Sequence, residues 1–241
     1  MSDDKRRVAQ RSAGLPSKGG PSASGELDAF LSDVASLPAA TSGARGRLIF
    51  ALDATASRQA TWDRATGLQG DMFARTRGIG TLDVQLIYYR GYRECRASGW
   101  VTRTERLLSL MSSVRCEAGR TQIARILRHG LSEVKRQPVQ ALVFIGDAVE
   151  EDIDVLGDIA GQLRLVGLPV FVFQEGADPV ATQAFAAIAR LSGGAHCRFD
   201  AASADALGRL LNAVAAYATG GRAALSRQST TESVRLLEQL G

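Results

Sequence analysis

Long apolar runs, cysteine and lysine are all scarce in this chain, and each scarcity removes a class of function. Mean hydropathy is −0.03, and no apolar run approaches the roughly 18 residues that a membrane-spanning helix needs. Cys95, Cys116 and Cys197 are odd in number and lack metal-type spacing, which argues for free thiols rather than a disulfide framework or a zinc site. The only lysines are Lys5, Lys18 and Lys135. No Gly-x-x-x-x-Gly-Lys-Ser/Thr loop exists, and no Gly-x-Gly-x-x-Gly follows a strand, so the usual nucleotide-binding loops are missing. The net charge of +4 comes almost wholly from arginine, an excess too mild to imply nucleic acid by itself. The basic cluster at residues 5–7 is not followed by an apolar h-region; no secretory signal is expected and the chain reads as cytoplasmic.

What is present is a 45% hydrophobic composition, ample for a core, within 241 residues. That length suits one α/β domain with tails. The most informative stretch is Leu48-Ile49-Phe50-Ala51-Leu52-Asp53-Ala54-Thr55-Ala56-Ser57. Asp53, Thr55 and Ser57 fall at i, i+2 and i+4, which an extended segment places on one face. One carboxylate and two hydroxyls thus converge where a buried strand emerges. They are ligands for a hard cation, without the several carboxylates that would close a cage around it.

Along the chain, residues 1–45 are rich in Ser, Gly, Ala and Pro and read as a mostly disordered leader. Within it Leu27, Phe30, Leu31 and Val34 form one short helical face. Residues 46–220 alternate strand and helix. Strands are expected at 47–53, 82–89, 141–145, 170–173 and 195–199, with 93–101 returning as a short antiparallel edge partner. Helices are expected around Trp62 to Phe73, at 103–114, from Ile123 to Leu131, and at 151–166, 179–191 and 203–218. Near-continuous apolar strands separated by amphipathic helices call for a doubly wound, mostly parallel sheet covered on both faces. Residues 221–241 read as a tail with a short helix, because Ser229-Thr230-Thr231-Glu232 has capping-box spacing before Val234, Leu237 and Leu240.

In an open α/β sheet, ligands gather beyond the carboxyl ends of the strands where strand order reverses. Asp53 and Asp147 each end an apolar strand, and Thr121 lies on a loop between them, beside a helix start where a threonine can cap. This arrangement resembles the von Willebrand factor type A domain and its metal-ion-dependent adhesion site. The family's Asp-x-Ser-x-Ser motif stands here as Asp53-Ala54-Thr55-Ala56-Ser57; its later Thr is matched by Thr121 in Gly119-Arg120-Thr121, and its later Asp by Asp147 in Phe144-Ile145-Gly146-Asp147. Two departures are Thr55 in place of Ser, which keeps the hydroxyl, and Gly146 and Ala148 flanking an Asp that is commonly set in Thr-Asp-Gly. The resemblance implies Mg²⁺ (or Mn²⁺) held by Asp53, Thr55, Ser57, Thr121 and Asp147, with an acidic side chain of a protein partner completing the coordination and no reaction catalysed. It also implies a partner of the kind intracellular relatives have, an ATPase or a multi-protein assembly.

The rival reading is a magnesium-dependent phosphotransferase or phosphatase of haloacid-dehalogenase type. That chemistry needs a second Asp two residues after the first as general acid, where this chain has Thr55. It also needs a lysine at the phosphate, and Lys135 sits well along a helix. Interleaved Tyr88, Tyr89, Arg90, Tyr92, Arg93 and Arg96 are compatible with nucleic-acid stacking but are more ordinary as a charged sheet edge. The acidic run Glu150, Glu151, Asp152 and Asp154 is expected to favour the dipole of the helix it opens.

Overall fold

A computed structural model describes residues 45–58, 82–199 and 212–219. The expected leader with its Leu27–Val34 face, the helix around Trp62 to Phe73 and the tail at 221–241 lie outside the described residues.

Six strands form one sheet: β1 (Gly46–Asp53), β2 (Leu82–Arg90), β3 (Glu94–Ala97), β4 (Ala141–Gly146), β5 (Val170–Glu175) and β6 (His196–Phe199). Their order is β3-β2-β1-β4-β5-β6, with every pairing parallel except β2 with β3. Successive side chains of a strand point to opposite faces, so each apolar strand feeds two cores. Leu48, Phe50 and Leu52 of β1 join Val143 and Ile145 of β4 on one face. This face is covered by α1 (Thr104–Ser113), through Leu107 and Met111, and by a helical segment over 212–219, through Val214 and Tyr217. Ile49 and Ala51 join Leu142 and Phe144 on the other, under α2 (Ile123–Arg136), α3 (Ile153–Leu165) and α4 (Pro179–Ser192). The doubly wound α/β architecture with one antiparallel edge strand is therefore the observed one.

The differences from the sequence reading are local and have identifiable causes. The edge strand stops at Ala97 because Ser98 takes over with its side chain: its hydroxyl accepts the Leu86 amide at 3.1 Å and donates to the Gly99 carbonyl at 2.7 Å. Pairing resumes only as a single bridge between Val84 and Val101. Helix α3 starts at Ile153 rather than 151 because Asp152 is its N-cap, its carboxylate accepting the Asp154 amide at 2.9 Å. Asp178 caps α4 in the same way, with Pro179 in the first turn and Gly193 closing the helix at φ +78°.

Phe144 is the aromatic centre of the α2–α4 face. Its ring stacks 6.3 Å from Tyr89 and meets Phe185 edge-on at 5.6 Å. It also explains the glycine before Asp147, since a Cβ on Gly146 would lie 2.7 Å from the Phe144 ring. Replacing a buried Phe by Ala removes its transfer free energy and leaves a cavity. Phe144→Ala is accordingly expected to lower the stability of the domain by about 3–5 kcal/mol in a urea titration; a loss under about 1 kcal/mol would show that the ring does not anchor this face.

Candidate metal centre at the strand ends

Strand order changes direction between β1 and β4, which are neighbours although β2 and β3 lie between them in sequence. Leu52 is opposite Ile145, so Asp53 and Asp147 leave adjacent strands within one residue of the same level. On the other side Asp53 is opposite Tyr89. The Asp53 side chain is fully buried. One carboxylate oxygen accepts the Thr55 amide at 2.8 Å and the other accepts the Tyr89 hydroxyl at 2.8 Å. Burial pushes the Asp53 carboxyl above its ordinary range, and the contacts to Thr55 and Tyr89 and the charge of Arg58 only partly offset it. Burial and the neighbouring Asp53 charge drive the Tyr89 phenol well above its ordinary value, which keeps it a proton donor.

After the hydrogen bond from the Thr55 amide back to Asp53, the chain enters a short 3₁₀ turn, Ala56–Arg58, closed by the Arg58 amide donating to the Thr55 carbonyl at 3.1 Å. It leaves the Thr55 and Ser57 hydroxyls 3.0 Å apart, with Ser57 exposed. Arg58 then turns inward, 1% exposed, and its guanidinium lies 3.0 Å from Glu175 at the end of β5. Charge rather than an aligned hydrogen bond holds this pair, and the Arg58 Nε and Nη1 groups make no hydrogen bond among the described residues.

Thr121 reaches the same rim on the loop between α1 and α2. The Glu117 amide donates to the Ala54 carbonyl at 3.0 Å, and Thr55 and Glu117 form a single parallel bridge. The turn after β2 clamps the loop from outside: the Arg120 amide donates to the Gly91 carbonyl at 3.1 Å, and the Gln122 amide side chain donates to Arg90 and Gly91 carbonyls at 3.2 Å each. Gly119 is required at this approach, since a Cβ there would sit 1.9 Å from the Gly91 carbonyl oxygen. Thr121 does not cap α2. The N-cap position is Gln122, without a side-chain capping bond, and the Thr121 hydroxyl turns across to accept the Glu150 amide at 3.0 Å. The Glu150 carboxylate returns the contact by accepting the Thr121 amide at 3.0 Å. Glu151 accepts the amides of Ile123 and of Ala124, the latter at 2.9 Å. Thus the first two acids of the run serve the N-terminus of α2, and only Asp152 caps the helix that the run itself opens.

Asp147 is half-buried, and its Oδ1 is buried without a hydrogen-bond partner among the described residues. Asp53, Thr55 and Ser57 are joined directly, Thr121 is held to the same loop through Glu117, and Asp147 precedes by three residues the Glu150 that pairs with Thr121. Among the described residues no three His, Cys, Asp or Glu side chains gather as a metal cluster. The candidate donors are instead two carboxylates and three hydroxyls, an all-oxygen set chemically suited to Mg²⁺ or Mn²⁺. Sequence reasoning missed Tyr89, Arg58 and Glu175. Glu175 carried a usable signal, because it ends an apolar strand as Asp53 does; Arg58 and Tyr89 carried none.

The sequence matches no family model and no curated protein. Solved structures match through their shape. The SpRpn10 VWA domain superposes with TM-score 0.55 at 11% identity, covering 70% of this chain and 94% of that one. Proximal thread matrix protein 1 from the mussel byssus, with a zinc-occupied MIDAS motif, gives 0.58 at 12% identity, covering 74% and 48%. A von Willebrand factor type A protein from Catenulispora acidiphila gives 0.56 at 14% identity, covering 72% and 43%. The matched region thus spans nearly all of the first chain and under half of the other two. On this likeness of shape, the mostly parallel six-stranded sheet with one antiparallel edge has the fold of a von Willebrand factor type A domain.

Proposed function

We propose that the chain is a non-catalytic protein-interaction module in which Asp53, Thr55, Ser57, Thr121 and Asp147 hold a divalent cation, Mg²⁺ or Mn²⁺, and an acidic side chain of a protein partner completes its coordination. The observation that carries the proposal is Asp147 Oδ1, a buried acceptor with no partner among the described residues, at the rim where the Thr55 and Ser57 hydroxyls already lie together. A buried polar atom left unbonded costs about 1–3 kcal/mol, and a cation would satisfy it. Each Asp53 oxygen already accepts one hydrogen bond, so Asp53 fits a role as oriented charge at the back of the site. With only two carboxylates in the set, a bound cation keeps net positive charge, which is the chemistry it would offer an incoming carboxylate. The zinc-occupied motif in the mussel protein supports a divalent ion on this fold. A partner that is an ATPase or part of a multi-protein assembly, and a location in the cytoplasm, belong to the same proposal. Among the described residues no helix is long and apolar enough to cross a membrane.

The phosphotransferase alternative finds no support at the site. Position 55 offers a threonine where a general acid is needed, and the Thr55 hydroxyl is engaged with Ser57. Lys135 is exposed in the last turn of α2, whose first turn is the end at the rim, about 18 Å away at 1.5 Å per residue.

Three outcomes follow. Asp53→Ala is expected to abolish Mn²⁺ binding in calorimetry while circular dichroism stays unchanged; undiminished affinity would remove the assignment. Wild-type protein with Mg²⁺ is expected to hydrolyse neither ATP nor a phosphomonoester, and turnover lost in Asp53→Asn would instead establish the enzyme. The third concerns pH. Because burial raises the Asp53 carboxyl above 3.8, the native state keeps a proton that the unfolded chain has already released. Stability without metal therefore falls as pH rises from about 4 through the raised value, by at most about 1.4 kcal/mol per pH unit. Asp53→Asn, which keeps an acceptor for the Thr55 amide, should remove that decline; urea midpoints with the same slope in both proteins would place the burden on another group.

A further inference from the structure

The two flanks of the candidate centre carry opposite charge. On the β4 side stand Asp147, Glu150 and Glu151, the last two engaged with the start of α2. On the β2–β3 side, the turn and loop that clamp Thr121 present arginines. Arg93, Arg115, Arg120 and Arg125 are all exposed, and none forms an ion pair among the described residues. Three backbone contacts make them one patch: the Arg90 guanidinium donates to the Arg115 carbonyl at 3.0 Å, that of Arg125 to the Arg93 carbonyl at 2.6 Å, and the Arg120 amide to the Gly91 carbonyl at 3.1 Å. Tyr92, 75% exposed, stands at the tip of this turn. Glu94 and Glu117 do not neutralise the patch, because both are spent on Arg90, and Glu94 also on Arg96.

From this polarity we infer that the turn after β2 and the loop bearing Thr121 form a docking surface for an extended acidic segment of a protein partner, running from the metal centre toward the β3 edge. The inference rests on the metal-dependent interaction module proposed above and adds the partner's chemistry: several Asp or Glu side chains in a row, one at the cation and the others over Arg93, Arg115, Arg120 and Arg125. The acids on the β4 flank repel the same segment, which sets its direction. Tyr92 offers a rigid aromatic contact in the middle of the basic surface. A protein segment is favoured over a nucleic acid because single-stranded binding uses successive stacking platforms. Here Tyr89 is buried and Tyr88 is covered by the Arg90 guanidinium at 5.8 Å, which leaves Tyr92 as the one exposed tyrosine among the described residues.

The test is fluorescence anisotropy of a short fluorescein-labelled oligo-glutamate peptide with the full chain, in Mn²⁺ and in EDTA. The proteins compared are wild type, Asp53→Ala, the double reversal Arg93→Glu with Arg120→Glu, and a control reversal of equal charge, Arg103→Glu with Arg106→Glu, at the opposite end of α1. The expected result is binding in Mn²⁺ that weakens about tenfold or more in the Arg93/Arg120 variant and stays near wild type in the control. Calorimetric Mn²⁺ affinity should be no weaker than wild type in either reversal, since added acids attract the cation. Peptide binding that survives EDTA and Asp53→Ala but is lost in the Arg93/Arg120 variant would uphold the surface and overturn the metal reading. Equal weakening in both reversals, or none in either, overturns the surface. So does a wild-type protein that ignores the peptide, or one from which oligo-thymidylate displaces it in EDTA.

Discussion

A carboxylate with no exposure to water is the constraint around which this domain is arranged. Asp53 can be tolerated inside only because two donors are aimed at it, one from its own turn and one from the strand alongside. The first demands that the chain bend immediately after β1. The second demands that β2 lie parallel to β1 in the register that sets Tyr89 opposite Asp53. A slip of one residue would send Tyr89 to the other face and leave the carboxylate half-bonded. The apolar contacts of both cores enforce that register, so packing across the whole sheet is what keeps one polar group satisfied.

The rim is rigid by similar means. Two backbone segments, at Gly91 and Gly119, come closer than any side chain allows, and this contact fixes the height of the loop that carries Thr121. Arg58 holds the other side of the Asp53 turn down to the end of β5. A fully buried guanidinium is a poor source of net stability, because removing it from water offsets most of the attraction to Glu175. Its value is positional: with the guanidinium seated on Glu175, Ser57 stands at the surface and Thr55 lies buried beneath it.

Much of the fold was legible in the sequence, for a reason visible in particular residues. Each apolar strand is buried on both faces, so 47–53, 141–145 and 170–173 stand out without any need to know their neighbours. Helix starts were blurred where a polar residue could be either cap or first turn, as at Asp152. Asp53, Thr55 and Ser57 could be linked because their relation is local. Thr121 could be placed at the rim but not oriented, since its hydroxyl answers to an amide 29 residues away. The same limit explains why Tyr89, 36 residues from Asp53, was invisible as its partner. Contacts that depend on which strands become neighbours are not written in any short window.

The acidic run after β4 shows how such long-range contacts shape the electrostatics of the site. Read alone, Glu150 and Glu151 serve the helix they precede; in the folded chain they bond the amides that open α2. A helix N-terminus carries partial positive charge and is a ready anion site. Here the protein's own carboxylates fill it, which withdraws that positive end from any incoming acid. In the proposed module the attraction left at the rim would belong to the cation and to the arginines beside it, so the bonding of α2 by Glu150 and Glu151 would restrict where an acidic partner is held.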